Sequence, residues 1–211
     1  MSTANPTVLL QQHSPRLILA SASASRRALL NAAGLRFSTS PSAIDETTLK
    51  RAARRKDQDV EAVALLLAAT KAHDIAPQNP DALVIGADQI LVCEGIWYDK
   101  PKDVPEARSQ LLTLRGRMHR LVTAATCVHD NAVAWQHVST SQLTMRPFTQ
   151  QFLEAYLMAE GNEILNSVGA YRLEGLGVHL FARIDGDEAT IRGLPLVPLL
   201  AFLRDYGVLL I

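Results

Sequence analysis

The run Ala82-Leu83-Val84-Ile85-Gly86-Ala87 constrains this chain more than any other stretch. A continuous apolar run of this length, bounded by polar residues, reads as a strand of the buried type, covered on both faces rather than on one. A second such strand is expected over 16–20, followed by a serine-rich turn and a helix over 24–33, with Gly34 as its natural stop. A strand follows over 36–39, then an acidic turn at 44–47 and a basic run at 50–56 that reads as a solvated loop or helix end. A long helix is expected over 60–75, with Val60, Val63, Ala64, Leu67 and Ala68 on one face. Strands over 90–93 and 96–98 flank Glu94-Gly95 as a hairpin, and a helix spans 105–114. Two longer strands, 120–128 and 132–145, turn at Asp130-Asn131. Thr149 caps a helix through residue 159, strands are expected over 178–184 and 189–191, and Pro195 opens a helix over 196–206. Helices and hairpins mixed in this way indicate α/β or α+β architecture on a mixed sheet.

The 211 residues carry 21 basic and 21 acidic side chains, a net charge of zero. That balance leaves no electrostatic footprint for duplex nucleic acid or an anionic membrane, so basic character has to be local. The length suits one domain over 16–211, preceded by a loose tail over 1–15. Cys93 and Cys127 are far apart and form no CxxC pair, as expected of reduced core residues. The N-terminus lacks the charge and apolar run of a signal peptide, and no stretch approaches a membrane span. The cytoplasm is the simplest compartment.

Chemistry is concentrated at a few positions. Ser21, Ser23 and Ser25 precede Arg26-Arg27 at the expected helix start. Serines cap helices well, but cations in the first turn oppose the helix dipole. A bound anion would resolve the conflict, taking backbone N–H groups, hydroxyls and a guanidinium together; the alternative is that both arginines extend into solvent. Asp88 directly follows the buried run, at the carboxyl end of a strand, where a functional acid or a turn-forming aspartate can stand. Lys100-Pro101 closes the hairpin. Lys71 follows an almost entirely apolar helix, where it can snorkel or neutralise phosphate. Asp45-Glu46 offers acceptors for a divalent cation or forms a solvated turn. The late glycines include Gly169, Gly175 and Gly177 but make no GxGxxG, and no P-loop is present.

In order along the chain, Leu19-Ala20-Ser21-Ala22-Ser23 with Arg26, Asp45-Glu46, Lys71, Gly86-Ala87-Asp88, Lys100-Pro101, Gly116-Arg117-Met118-His119 with Thr123, Val168 to Gly177, and Gly193-Leu194-Pro195-Leu196 resemble the motifs of the Maf family of nucleoside triphosphate pyrophosphatases. The likeness runs from Leu17 to about Leu203. Ala24, Arg115 and Val168 depart from the family's usual proline, serine and alanine without removing a charged group. Gln89 and Glu174 stand where the dTTP and UTP branch usually has threonine and glutamine, and so resemble the branch associated with 7-methyl-GTP.

The resemblance implies an elongated mixed sheet flanked by helices, similar to the inosine-triphosphatase fold, with two lobes and a central cleft. It implies hydrolysis between the α and β phosphates with a magnesium or manganese ion. Ser21, Ser23 and Arg26 would hold phosphate, and Lys71 and Lys100 would spread positive charge over the leaving pyrophosphate. Asp88 would orient or deprotonate water or ligate the metal, with Glu46 as second acid. Glu174 and Gln89 would meet the base: a carboxylate accepts from the N1–H and amino edge of guanine, whereas an amide suits uracil or thymine. Family members are often homodimers. The competing readings are a pyrimidine or broad-specificity nucleotide pyrophosphatase, and a nucleotide-binding regulator of cell division that does not hydrolyse its ligand.

Overall fold

The computed structural model describes residues 10–211. The sheet has seven strands in the order β2-β1-β3-β5-β6-β7, with β4 beside β3. These are β1 (Arg16–Leu19), β2 (Phe37–Thr39), β3 (Ala82–Cys93), β4 (Ile96–Tyr98), β5 (Met118–His129), β6 (Ala132–Met145) and β7 (Phe181–Asp185). The class is mixed α/β, as the alternation of elements requires. The chain forms two compact units, one made of residues up to Asp88 with 123–139 and 193–211, the other of 89–122 and 140–192.

In the first unit β1 lies parallel between β2 and the start of β3, with Leu17 opposite Phe37 and Leu19 opposite Ile85. Parallel neighbours need crossovers, and the helices α1 (Ala24–Ala32), α2 (Glu46–Arg55) and α3 (Val60–Ile75) supply them. α7 (Leu196–Asp205) completes the unit. Ile18, Ala72, Ile75, Val84 and Val128 form one core cluster. α3 seats very closely on β3, because a Cβ on Gly86 would collide with the carbonyl oxygen of Ala68 and lie 2.9 Å from Ala72 N. Only glycine lets the two backbones approach so far.

In the second unit β3 and β4 form the hairpin expected at Glu94-Gly95, and β6 pairs antiparallel with β7, Leu143 opposite Ile184. α4 (Val104–Leu114) and α5 (Gln150–Glu160) enclose a core that includes Leu91, Leu111, Leu121, Leu143, Leu153 and Ile164.

Four sequence expectations change. The strand over 82–87 does not end before Asp88 but runs on to Cys93, so Asp88 lies within β3. The acidic turn and basic run are the two ends of one helix. Asp45 caps α2 by accepting from Thr48 N at 3.0 Å and from Thr48 Oγ1 at 2.6 Å, Glu46 opens the helix, and Arg54 and Arg55 close it in agreement with the dipole. Residues 189–191 form not a strand but the helical turn α6 (Glu188–Ile191), because Asp187 caps it through Thr190 N at 3.0 Å. Residues 176–180 form a 3₁₀ turn, and β7 starts only at Phe181. Of the expected tail, residues 1–9 lie outside the described residues. Leu10 and Gln12 hydrogen-bond the backbone of Leu210 and Val208, and the Gln11 side chain spans the N–H and C=O of Arg36.

Candidate active site

Lys71 is the hub of the first unit's charged cluster. It occupies the same face of α3 as Val63, Ala64, Leu67 and Ala68, and that face is buried. The side chain cannot snorkel out of it. Its ammonium instead donates to Asp88 Oδ1 at 2.6 Å and meets Glu46 Oε1 at 2.8 Å. The side chains of Lys71 and Asp88 are 8% and 4% exposed, whereas that of Glu46 is 41% exposed. The cluster is therefore buried at its centre and wet at one edge. The close seating of α3 at Gly86, two residues before Asp88, carries Lys71 onto the carboxylate.

Lys50 is a second buried cation, although the sequence predicts a solvated loop or helix end over 50–56. It is buried, four residues after Glu46 on α2, with its ammonium 3.9 Å from Asp88 Oδ2 and 4.0 Å from Glu46 Oε2. Its sequence signal was the i,i+4 spacing from Glu46, legible once 46–55 is read as helix.

The arginine conflict at α1 is resolved by division of labour. Arg27 is exposed, whereas Arg26 is buried. Arg26 Nε donates to the carbonyl of Gly193 at 2.8 Å, and one terminal nitrogen donates to Ser21 Oγ at 3.1 Å. Burial pushes the guanidinium pKa down, while the charges of Asp88 and Glu46 push it back up. Protein carboxylates thus supply the anionic counterweight that the serine turn alone does not. Ser23 is the N-cap, accepting from Arg26 N at 3.3 Å, and Ser21 Oγ also accepts from Ser23 N at 3.2 Å. Gly193 went unremarked as a site residue. Its φ of +103° and the 3.3 Å between a built Cβ and Arg26 Nε make it the backbone seat of that arginine.

Burial pushes the Asp88 carboxyl pKa up, but Lys71, Lys50 and Arg26 outweigh it and hold the group below the ordinary carboxylate range. Asp88 Oδ2 is nevertheless buried with no hydrogen bond. An anionic oxygen left in that state, beside the half-open Glu46, is a hard acceptor of the type that suits a divalent cation. No group of three or more His, Cys, Asp or Glu suited to a metal occurs among the described residues, so an all-protein cage is not what this site offers.

Gln89, Lys100 and Glu174 belong to the second unit. Lys100 is exposed, in a segment pinned by Gln110, whose amide donates to the Asp99 carbonyl at 3.1 Å. The glycine-rich loop is tied to α5. Tyr156 donates to the Ala170 carbonyl at 3.1 Å, and Glu160 accepts from Leu176 N at 2.7 Å and from Arg172 Nε at 3.2 Å. Glu174 projects between those two anchors with its side chain 30% exposed, 3.8 Å from Arg192 Nε. The Gln89 carboxamide nitrogen donates to the carbonyls of Thr190 and Ile191 at 3.0 and 3.1 Å. His119 is core structure: burial lowers its pKa to about 4, and Nε2 hydrogen-bonds the Tyr171 hydroxyl at 2.8 Å.

Together these features define an α/β protein with a buried lysine–carboxylate cluster beside a serine-capped helix start. The chain belongs to the Maf family, whose model, described as Maf-like protein, matches residues 16–206. It is 48% identical over 194 residues to the nucleoside triphosphate pyrophosphatase of Granulibacter bethesdensis, covering 92% of this chain and 98% of the relative. It is 48% identical over 195 residues to the 7-methyl-GTP pyrophosphatase of Rhizobium meliloti, with 92% and 98% covered. A protein of that same name from Rhizobium etli is 45% identical over 195 residues, again with 92% and 98% covered. A match to the solved lipoprotein GNA1162 of Neisseria meningitidis, at 14% identity and a TM-score of 0.27 over 72% of this chain and 100% of that one, carries no argument.

Proposed function

We propose that this protein is a nucleoside triphosphate pyrophosphatase that cleaves the α–β phosphate bond, with 7-methyl-GTP as a favoured substrate. The observation that carries the reading is the buried Lys71 ammonium shared by Asp88 and Glu46, with Lys50 and Arg26 around it. Three cations against two carboxylates leave an excess positive charge, which suits a polyphosphate. In the reaction, water attacks the α phosphorus, the bond to the bridging oxygen breaks, and the electron pair leaves with pyrophosphate.

Arg26, Lys71 and the serine-capped start of α1 bind phosphate oxygens and stabilise the charge that develops as the bond breaks. Lys100, in the second unit, is assigned to phosphate binding by the family motif alone. Asp88 orients the attacking water. Held below the ordinary range by its cations, it is a poor proton acceptor near neutral pH, which favours orientation over general-base catalysis. Asp88 and Glu46 would hold the magnesium or manganese ion, which when bound neutralises phosphate charge and acidifies a coordinated water.

Glu174 reads the base. Methylation at N7 gives guanine a positive charge, so a carboxylate that accepts from N1–H and the exocyclic amine gains an attraction that an amide lacks. The test is product analysis with 7-methyl-GTP, GTP, dTTP and UTP. The expected result is monophosphate plus pyrophosphate, fastest from 7-methyl-GTP, with the preference over GTP falling about tenfold in Glu174→Gln. Fastest turnover of dTTP or UTP would overturn the specificity, and nucleotide binding without pyrophosphate release would favour a regulator.

A further inference from the structure

The two buried lysines of the first unit stand on the same pair of carboxylates, but on different oxygens. Lys71 engages Asp88 Oδ1 at 2.6 Å and Glu46 Oε1 at 2.8 Å. The second oxygen of each group faces Lys50, whose ammonium lies 3.9 Å from Asp88 Oδ2 and 4.0 Å from Glu46 Oε2. The quality of the contacts differs too. Lys71 sits at hydrogen-bonding distance. Lys50 stands beyond it, and Asp88 Oδ2 is buried with no hydrogen bond. The charge on that oxygen is therefore balanced by a neighbour that breaks no hydrogen bond to it on leaving. Arg26 cannot play this part, because its own hydrogen bonds pin it to Ser21 and Gly193. Lys50 carries its ammonium on four flexible carbons, rooted in α2, where it and Ala53 are the buried residues.

We infer that Lys50 is a stand-in for the divalent cation: its ammonium balances the outer oxygens of Asp88 and Glu46 until the nucleotide's phosphates arrive, and yields that place as the metal enters. The inference rests on Asp88 and Glu46 as the metal's protein ligands. Its basis is a shared set of acceptors. Lys71 already takes one oxygen of each carboxylate, so a metal held by both must draw on Oδ2 and Oε2, the two that Lys50 faces. Two cations drawn to the same oxygens repel each other strongly where burial keeps water from screening them. A triphosphate reverses that balance, since its negative charge can receive the displaced ammonium and supply further oxygens to the metal. Metal and nucleotide then raise each other's affinity by the same factor, and Lys50 enlarges that factor by weakening the metal when it comes alone.

The test measures Mn2+ binding itself, from the electron paramagnetic resonance signal of free Mn2+, on the full chain with and without the α,β-methylene analogue of GTP, which cannot be cleaved at that bond. Without nucleotide, Lys50→Met should bind Mn2+ about tenfold more tightly than the wild type, and Lys50→Arg should stay near it. The analogue should tighten Mn2+ about tenfold more in the wild type than in Lys50→Met. Lys50→Gln repeats the loss of charge with a polar side chain if Lys50→Met folds poorly. Arg51→Gln removes the same charge from the exposed neighbouring position and should change the affinity by less than about twofold. If Asp88→Asn loses Mn2+ while Lys50→Met and Lys50→Gln bind it no more tightly than the wild type, the stand-in role is overturned and the metal site stands. Equal tightening by Arg51→Gln also overturns it, since overall charge would then be the cause. If Asp88→Asn binds Mn2+ as well as the wild type, the metal site falls and the role of Lys50 with it.

Discussion

Asp88 keeps its charge only because three cations surround it, and that dependence gives the residue-scale predictions their direction. Asp88→Asn should leave a folded protein whose pyrophosphate release is lowered by about two to three orders of magnitude, the usual effect of losing one preorganised polar group. Lys71→Met removes the closest counter-charge and should cost about 3 kcal/mol of stability as well as activity, read from urea unfolding, because it leaves a buried carboxylate short of its main partner. The pH dependence follows from the sign of the shift. A carboxyl held below its unfolded value of about 3.9 stabilises the fold fully above that value and loses the contribution as pH falls through its folded value. The stability gap between wild type and Asp88→Asn should therefore be wide at pH 7 and close under strong acid, below the ordinary carboxylate range. A gap that widened on acidification would contradict the cation-held carboxylate.

At the scale of elements, the site depends on how closely α3 seats on β3. Gly86→Ala would drive a methyl group into the Ala68 carbonyl, against backbone that cannot rotate away. Overpacking of this kind costs about 1–3 kcal/mol, and here it should also lift Lys71 from Asp88. Thermal melting and pyrophosphate release should consequently fall together, and an unchanged melting temperature would refute the close approach. Most elements were legible, because apolar runs and caps decide them: the strands from 16 and 82, the helix 60–75 and the Thr149 cap all stand close to where the sequence put them. The failures share one cause. Asp88 and Gln89 look like strand breakers, yet lysine neutralises one and backbone carbonyls satisfy the other, so β3 continues. Asp45 and Glu46 look like a turn until their capping of α2 is seen, and Lys50 was lost to solvent along with that helix. Tertiary partners, invisible in one dimension, reversed these local preferences. Of the site, Arg26, Glu46, Lys71 and Asp88 were legible from motif order. Lys50 was not, since it acts through contacts with residues of the motifs, and Gly193 stood in a motif with no role that the sequence alone could show.

Over the whole molecule, each unit carries its own core, and no helix among the described residues is long and apolar enough to cross a membrane. Cys93 and Cys127 are free and buried, one in each unit. Burial pushes both thiols up, Cys127 most strongly, so neither presents a reactive thiolate. Melting temperature and activity should therefore be the same with and without reductant, and native protein should react with a thiol reagent only on unfolding. The central claim is that the Lys71–Asp88–Glu46 cluster serves hydrolysis rather than nucleotide capture. The most direct test is metal-dependent pyrophosphate release from 7-methyl-GTP, GTP, dTTP, UTP and CTP by the wild type, with Asp88→Asn as the blank. The account predicts release led by 7-methyl-GTP and lowered by about two to three orders of magnitude in Asp88→Asn; release by neither protein from any nucleotide, or equal release by both, would contradict it.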